Sequence, residues 1–96
     1  MFEYTELDRE KVINGYFEHL DPPRLKLFPP KQKRKYIVLE ILMKQIDSNK
    51  HYTESQLNDI LYNIYDDFVT LRRALIDFGF MSRTVDGKQY WVNKKD

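Results

Sequence analysis

Apolar side chains recur at helical spacing along the first half of the chain. The first pattern ends before two consecutive prolines and predicts an amphipathic helix over residues 8–20. A second pattern predicts a helix over residues 31–47, and a short extended segment over residues 24–28 precedes it. The apolar positions are Val12, Ile13, Tyr16, Phe17 and Leu20 in the first helix, and Val38, Leu39, Leu42 and Ile46 in the second.

Residues 54–78 carry two shorter helical patterns separated by about two residues. Thr53 and Gln56 fit a capping box, in which each side chain bonds the backbone at the start of the helix. Asp66 or Asp67 can cap the second helix. Two short helices joined so closely are typical of a helix-turn-helix. Their apolar faces are Leu57, Ile60, Leu61 and Ile64 in the first helix, and Phe68, Leu71, Leu75 and Phe78 in the second.

A β-hairpin is predicted over residues 80–93. Two segments rich in strand-forming residues flank Asp86-Gly87, a pair that favours a two-residue type I′ turn with positive φ at both positions. This register places Arg83 opposite Tyr90 on the neighbouring strand.

These elements predict a single α+β domain over residues 1–96 that is mostly α. The expected fold is a winged helix-turn-helix with an extra N-terminal helix and a C-terminal β-hairpin as the wing. The chain is 42% hydrophobic and 15% aromatic, which is enough for a packed core. We expect that core to unite Val12, Phe17, Leu39, Leu42, Leu57, Leu61, Leu71, Leu75 and Phe78.

Charge is distributed unevenly along the chain, although the net charge is only +1. Residues 1–21 hold six acids and two cations, whereas residues 22–35 hold six cations and no acid. A dedicated nucleic-acid binder is usually more basic than this chain. The separation of the charges still allows a local positive face.

Several functional classes find no support in the sequence. There is no cysteine, no apolar run near 18 residues and no signal peptide, so we expect a cytoplasmic protein without a membrane span. His19 and His51 lack the spacing of metal ligands, and no glycine-rich phosphate loop occurs. We therefore expect no enzyme activity, no metal site and no cofactor.

The helix that starts near Phe68 is the candidate recognition helix. Its N-terminal half would enter the major groove, where Thr70 and Arg73 could contact bases or phosphates. The alternative for Arg73 is a solvent-side ion pair with Asp77. The wing adds Arg83 and Lys88 as candidate DNA contacts, although Asp86 lies at its tip and would repel phosphate.

The second candidate DNA-binding group opens the helix over residues 31–47. Lys31, Lys33, Arg34 and Lys35 lie where cations oppose the helix dipole, so local helix stability does not explain them. An anionic partner would explain them, and a solvated lysine face is the alternative.

Arg72 is expected to serve the fold instead. It lies at the border of the apolar face, where its stem can pack on apolar groups while its guanidinium pairs with an acid. We predict a structural ion pair with Asp66 or Asp67, and Asp59 is a third candidate.

Three motifs resemble those of a bacterial family catalogued as a domain of unknown function. They are Y-T-E at 52–54, D-x-x-T-L-R-R-x-L at 67–75 and G-x-x-Y-W at 87–91, and the similarity covers residues 24–92. The resemblance implies a winged-helix-like fold. The family also occurs behind ArsR-type DNA-binding domains, which implies a role in transcription. A module already fused to a DNA-binding domain need not bind DNA itself.

Two functions therefore compete at this point. The first is a DNA-binding transcriptional regulator of winged-helix type, with double-stranded DNA as its partner. The second is a protein-interaction or regulatory module on the same scaffold. An RNA-binding winged helix is a third hypothesis, which no particular residue supports. Because residues 8–20 need cover for their apolar face, a homodimer built on that helix is also expected.

Overall fold

The computed structural model describes residues 2–94, and within them the chain is a small α+β fold. Four helices and two small antiparallel sheets pack around one core in the described residues. The helices are α1 (Glu6–Tyr16), α2 (Gln32–Leu42), α3 (Glu54–Tyr62) and α4 (Phe68–Asp77), and a short 3-10 turn, Met43–Gln45, extends α2. The strands are β1 (Phe17–Leu20), β2 (Pro23–Leu25), β3 (His51–Tyr52), β4 (Met81–Arg83) and β5 (Tyr90–Val92).

The prediction of a helix over residues 8–20 is wrong at both ends. Thr5 caps α1 through a capping box with Asp8, so the helix begins at Glu6. The helix ends at Tyr16, because the following residues form β1 and pair with β2 around a turn that contains the cis Asp21–Pro22 bond. The apolar residues from Val12 to Leu20, which fit one helical pattern in the sequence, therefore belong to a helix and a strand.

The apolar face of α1 is covered by the chain itself. Val12 is buried, and the partly buried Ile13 and Tyr16 pack against the core. The hydroxyl of Tyr4 donates a hydrogen bond to Glu40 of α2, which ties the N-terminal segment to that helix. The apolar face that motivated a homodimer thus has an intramolecular partner, and dimerisation stays a prediction.

The second sheet joins the C-terminal hairpin to the segment before α3. Its strand order is β3-β5-β4, so the last strand lies between the two others and all neighbours are antiparallel. The capping box of Thr53 and Gln56 starts α3, and Asp67 caps α4 after a short link. The sheet therefore closes one end of the α3–α4 pair.

The hairpin has the predicted register but a different turn. Arg83 lies opposite Tyr90, as predicted. Gly87 has a φ of +72°, whereas Asp86 keeps a negative φ, so the type I′ turn is wrong. The side chains of Thr84 and Asp86 accept hydrogen bonds from the Lys88 amide at 3.1 and 3.0 Å. These bonds hold a wider loop, which begins after Thr84.

The core unites the four helices with both sheets. Most of the expected core residues are buried, and Phe78 is only partly buried, at the edge of the cluster. Leu71 and Leu75 are fully excluded from solvent and fix α4 against the remaining helices. The outward face of α4 is therefore held in one orientation relative to α2 and the hairpin.

Candidate nucleic-acid interface

The first residue on the outer face of α4 is engaged in capping its own helix. Thr70 donates its hydroxyl proton to Asp67 at 2.6 Å, and its amide donates to the same carboxylate at 3.2 Å. These two bonds, with a smaller contribution from the charge of Arg73, hold the pKa of Asp67 below its usual value. Thr70 can meet a ligand only through the lone pairs of its hydroxyl or by giving up the Asp67 bond.

Arg73 is the available cation of this face. Its side chain is exposed, and within residues 2–94 it forms no hydrogen bond and no ion pair, including with Asp77. A shallow hollow of about 340 Å³ places it beside Lys35 and Gln32 of α2. The amino group of Lys35 lies 5.9 Å from the centre of the Phe28 ring, which orients that side chain. The structure thus brings Arg73 and Lys35 onto one surface.

Arg72 has different partners from those predicted. Its Nη1 donates to Asn58 at 2.6 Å, and its Nε lies 3.6 Å from Glu54 Oε1. Asp66 is instead bound by Arg24 at 2.7 Å, and Asp67 caps α4. Glu54 and Asn58 are one turn apart on α3, so they present two oxygens to the arginine that crosses from α4.

The same glutamate links α3 to the hairpin. The hydroxyl of Tyr90 donates to Glu54 Oε1 at 2.8 Å. Burial and this hydrogen bond raise the pKa of the Tyr90 phenol, so the phenol keeps its proton and stays a donor. Arg72, Glu54 and Tyr90 together fasten α3, α4 and β5 to one another.

The hairpin contributes less free charge than its sequence indicates. Arg83 folds back on its own turn, and its Nη1 donates to the carbonyls of Thr84 and Val85 at 3.1 and 3.2 Å. Lys88 is exposed at the hairpin tip. Between α4 and the tip lies a hollow of about 400 Å³ that is lined by Arg72, Arg73 and Arg83 together with three acids. Those acids are Glu54, Asp77 and Asp86.

The cations that open α2 divide between two surfaces. Lys35 alone faces α4, whereas Lys31, Lys33 and Arg34 line a separate groove against α1. Lys33 pairs there with Asp8 at 3.1 Å. The predicted DNA-binding residues therefore do not form one continuous patch.

Sequence reasoning missed four residues that organise these surfaces. Glu54 and Asn58 hold Arg72, Arg24 joins β2 to the α3–α4 link, and Lys11 lines the groove between α1 and α2. The i,i+4 spacing of Glu54 and Asn58 was the available signal for the first two. Nothing in the sequence placed Lys11 or Arg24, because their partners come from distant elements.

Residues 2–94 contain neither a membrane-spanning helix nor a cluster of metal ligands. Across residues 2–94 no helix is both long enough and apolar enough to cross a membrane. In the same range no three histidine or carboxylate side chains come together in a way that could hold a metal ion.

Comparison with known proteins places the chain in a family. A search among curated proteins and a search among solved structures each found no significant match. Residues 24–92 match the family described as an uncharacterized protein conserved in bacteria, DUF2087. This match spans most of the chain and includes α2, α3, α4 and the C-terminal hairpin, whereas α1 and β1 lie outside it. The chain therefore belongs to the DUF2087 family.

Proposed function

We propose that this domain binds double-stranded DNA as a winged helix, with α4 as the recognition helix and the β4–β5 hairpin as the wing. The order of elements supports this arrangement, because a pair of short helices is followed directly by a hairpin. The β3-β5-β4 sheet order also supports it, since the short strand before α3 pairs with the hairpin's last strand. In such a domain the second helix of the pair is the one that enters the major groove.

The observation that carries the proposal is the state of Arg73. It is exposed on the outer face of α4, and no group among residues 2–94 neutralises it through a hydrogen bond or a close ion pair. An arginine in this position can donate two parallel hydrogen bonds to guanine or to a phosphate. Its neighbour Arg72 cannot serve in the same way, because Glu54 and Asn58 occupy its guanidinium.

The surface around Arg73 offers roughly three phosphate contacts per protomer. They come from Arg73 itself, from Lys35 beside it and from the exposed Lys88 of the hairpin, whereas Arg83 is folded onto backbone carbonyls. Counterion release at about three phosphates gives a log–log salt slope of about −2 to −3. The binding constant should therefore fall steeply as salt rises.

The test is fluorescence anisotropy with random-sequence duplex DNA across a salt series. Arg73→Ala should weaken non-specific binding and make the salt slope less steep by about one if Arg73 meets a phosphate. On a selected sequence it should cost about 1–3 kcal/mol if Arg73 reads a base. The matched control is Lys44→Ala, because Lys44 is exposed in the 3-10 turn that follows α2, roughly 13 Å beyond Lys35 at about 1.5 Å per residue.

The second candidate is a protein-interaction module, and the mixed charge of the α4–hairpin hollow favours it. Asp77 and Asp86 line that hollow and would repel a DNA backbone, whereas a protein partner could pair with both signs. DNA affinity that is unchanged in folded Arg73→Ala, or reduced equally by Lys44→Ala, would contradict the DNA-binding proposal in favour of this one.

A further inference from the structure

A groove between α1 and the beginning of α2 forms the second cationic surface of the molecule. It has a volume of about 590 Å³, which lies within the range of small-molecule sites. Its α1 wall lies outside the matched family segment, so the groove is built partly from a helix that the family match does not include.

The rim of the groove carries more free charge than the α4 face. Lys11, Lys31, Lys33 and Arg34 all line it, and Asp8 is its one acid among the described lining residues. Lys33 neutralises Asp8 at 3.1 Å, whereas Lys11 and Lys31 form no ion pair with any residue from 2 to 94. Three cations are therefore left to meet a ligand.

Arg34 is already oriented by the groove. Its Nη1 donates to the Tyr16 hydroxyl at 3.1 Å, and no carboxylate in the described chain binds it. A guanidinium fixed by a neutral oxygen keeps its charge and its remaining N–H donors. It can offer two of these in parallel to a phosphate group.

The floor of the groove is apolar. Val12 and Ile37 are almost fully buried beneath it, and the Tyr16 side chain forms part of the wall. Gly15 leaves the groove open, because a Cβ built there would find no heavy atom within 4 Å. The combination of an apolar floor with three free cations suits a ligand that has an apolar body and a strongly charged head.

We propose that this groove binds a small organic dianion, a phosphate monoester with an apolar or aromatic body, between α1 and α2. The three unpaired cations match a doubly charged head better than a single carboxylate. The site is distinct from the proposed DNA-contacting surface around Arg73, and it does not depend on DNA binding.

The experiment titrates phenyl phosphate into the full chain labelled with ¹⁵N and follows the amide spectrum. Saturable shifts should centre on Gly15 and on residues 31–34. Inorganic phosphate, which lacks the apolar body, should bind at least about threefold more weakly. Benzoate, which carries a single charge, should also bind more weakly than phenyl phosphate.

The variants use the open space at Gly15. Gly15→Phe should fill the groove and weaken phenyl phosphate binding by at least about tenfold. Gly15→Ala is its matched control, since it changes the same residue, leaves the groove open and should stay within about twofold of wild type. A Lys31→Ala, Arg34→Gln double variant should weaken binding by at least about tenfold, whereas Arg73→Ala and Lys44→Ala should stay within about twofold.

The outcomes are decisive in either direction. The proposal is overturned if no saturable shift occurs at the groove amides, or if Gly15→Phe binds phenyl phosphate as Gly15→Ala does. Equal weakening by Lys44→Ala would reveal non-specific charge attraction and would also overturn it. If Gly15→Phe does not fold, the double variant decides alone. Because Arg73→Ala tests DNA binding separately, failure of one site does not imply failure of the other.

Discussion

The α1–α2 groove and the α4–hairpin face hold similar numbers of cations but use them differently. In the groove, three of the four cations have no acidic partner among the described residues. On the α4–hairpin face, Arg72 is held by Glu54 and Asn58, and Arg83 is folded onto backbone carbonyls. Arg73 and Lys88 are the exceptions there, because neither side chain has an ion pair or hydrogen bond within residues 2–94. A count of cations therefore overstates the charge available for binding on the α4–hairpin face.

The acids of the two regions explain this difference. The groove contains Asp8, which both the Thr5 cap and Lys33 already engage. The α4–hairpin face contains Glu54, Asp77 and Asp86 among its arginines. On the α4–hairpin face, where Arg72 and Arg83 bind acids and carbonyls, the arginines mainly hold the helices and the hairpin together. A surface whose cations are unpaired is better suited to attract an anion.

The largest expected effect tests whether α4 is a fixed platform. Leu71→Ala should lower the free energy of unfolding by about 2–5 kcal/mol, because Leu71 of α4 is fully buried in the core. The matched control from the groove region is Leu7→Ala on α1, where the side chain is 58% exposed and the cost should stay within about 0.5 kcal/mol. Urea denaturation measures both. Equal costs would mean that the core does not fix α4 as described.

The second prediction separates adjacent arginines of the α4–hairpin face. Arg72→Ala should lower the free energy of unfolding by roughly 1–3 kcal/mol, because Asn58 loses its hydrogen-bond donor and Glu54 loses its ion pair. Arg73→Ala should change it by less than about 0.5 kcal/mol, since Arg73 has no close partner within residues 2–94. Thermal and urea denaturation measure the pair. Equal stability in the two variants would contradict the conclusion that Arg72 holds the fold together while Arg73 is free to bind a ligand.

Local patterns were sufficient for features whose partners are close in sequence. The Thr53–Gln56 capping box is present, and Asp67 caps α4 as one of the two residues expected there. The hairpin register is also as predicted, because alternation on both strands fixes which side chains face the core. Each of these features depends on residues within a few positions of one another or on a short connection.

Features that depend on distant elements were not predictable in this way. Phe17 and Leu20 fit a helical face in sequence, but pairing with β2 makes them part of a strand. The hairpin turn is a local exception, in which the side chains of Thr84 and Asp86 accept hydrogen bonds from the Lys88 amide while Asp86 keeps a negative φ. The basic run divides between two surfaces because α1 packs beside one face of α2. The sequence around residues 31–35 does not indicate where α1 packs.

The smallest expected effect is a loss of folding stability at low pH, which we compare for one carboxylate from each region, Asp8 and Asp67. Hydrogen bonds at the Thr5 cap, followed by Lys33, lower the pKa of Asp8 below its usual 3.8, and the Thr70 bonds lower the pKa of Asp67. A depressed folded-state pKa stabilises the fold above the unfolded value, and this contribution is lost as the pH falls through the folded value. Wild type should therefore lose stability below about pH 4.

Substitution by asparagine separates the two carboxylates. Asp67→Asn keeps a good N-cap and should remain close to wild type at neutral pH, whereas Asp8→Asn also loses the Lys33 ion pair. The destabilisation by Asp8→Asn should shrink both below about pH 4 and in about 0.5 M salt, because protonation and screening each remove what the wild-type carboxylate supplies. Urea denaturation between about pH 7 and pH 2.5 follows both variants. An Asp8→Asn profile that coincides with wild type throughout would show that Lys33 is not committed to Asp8, and the groove would then hold four free cations.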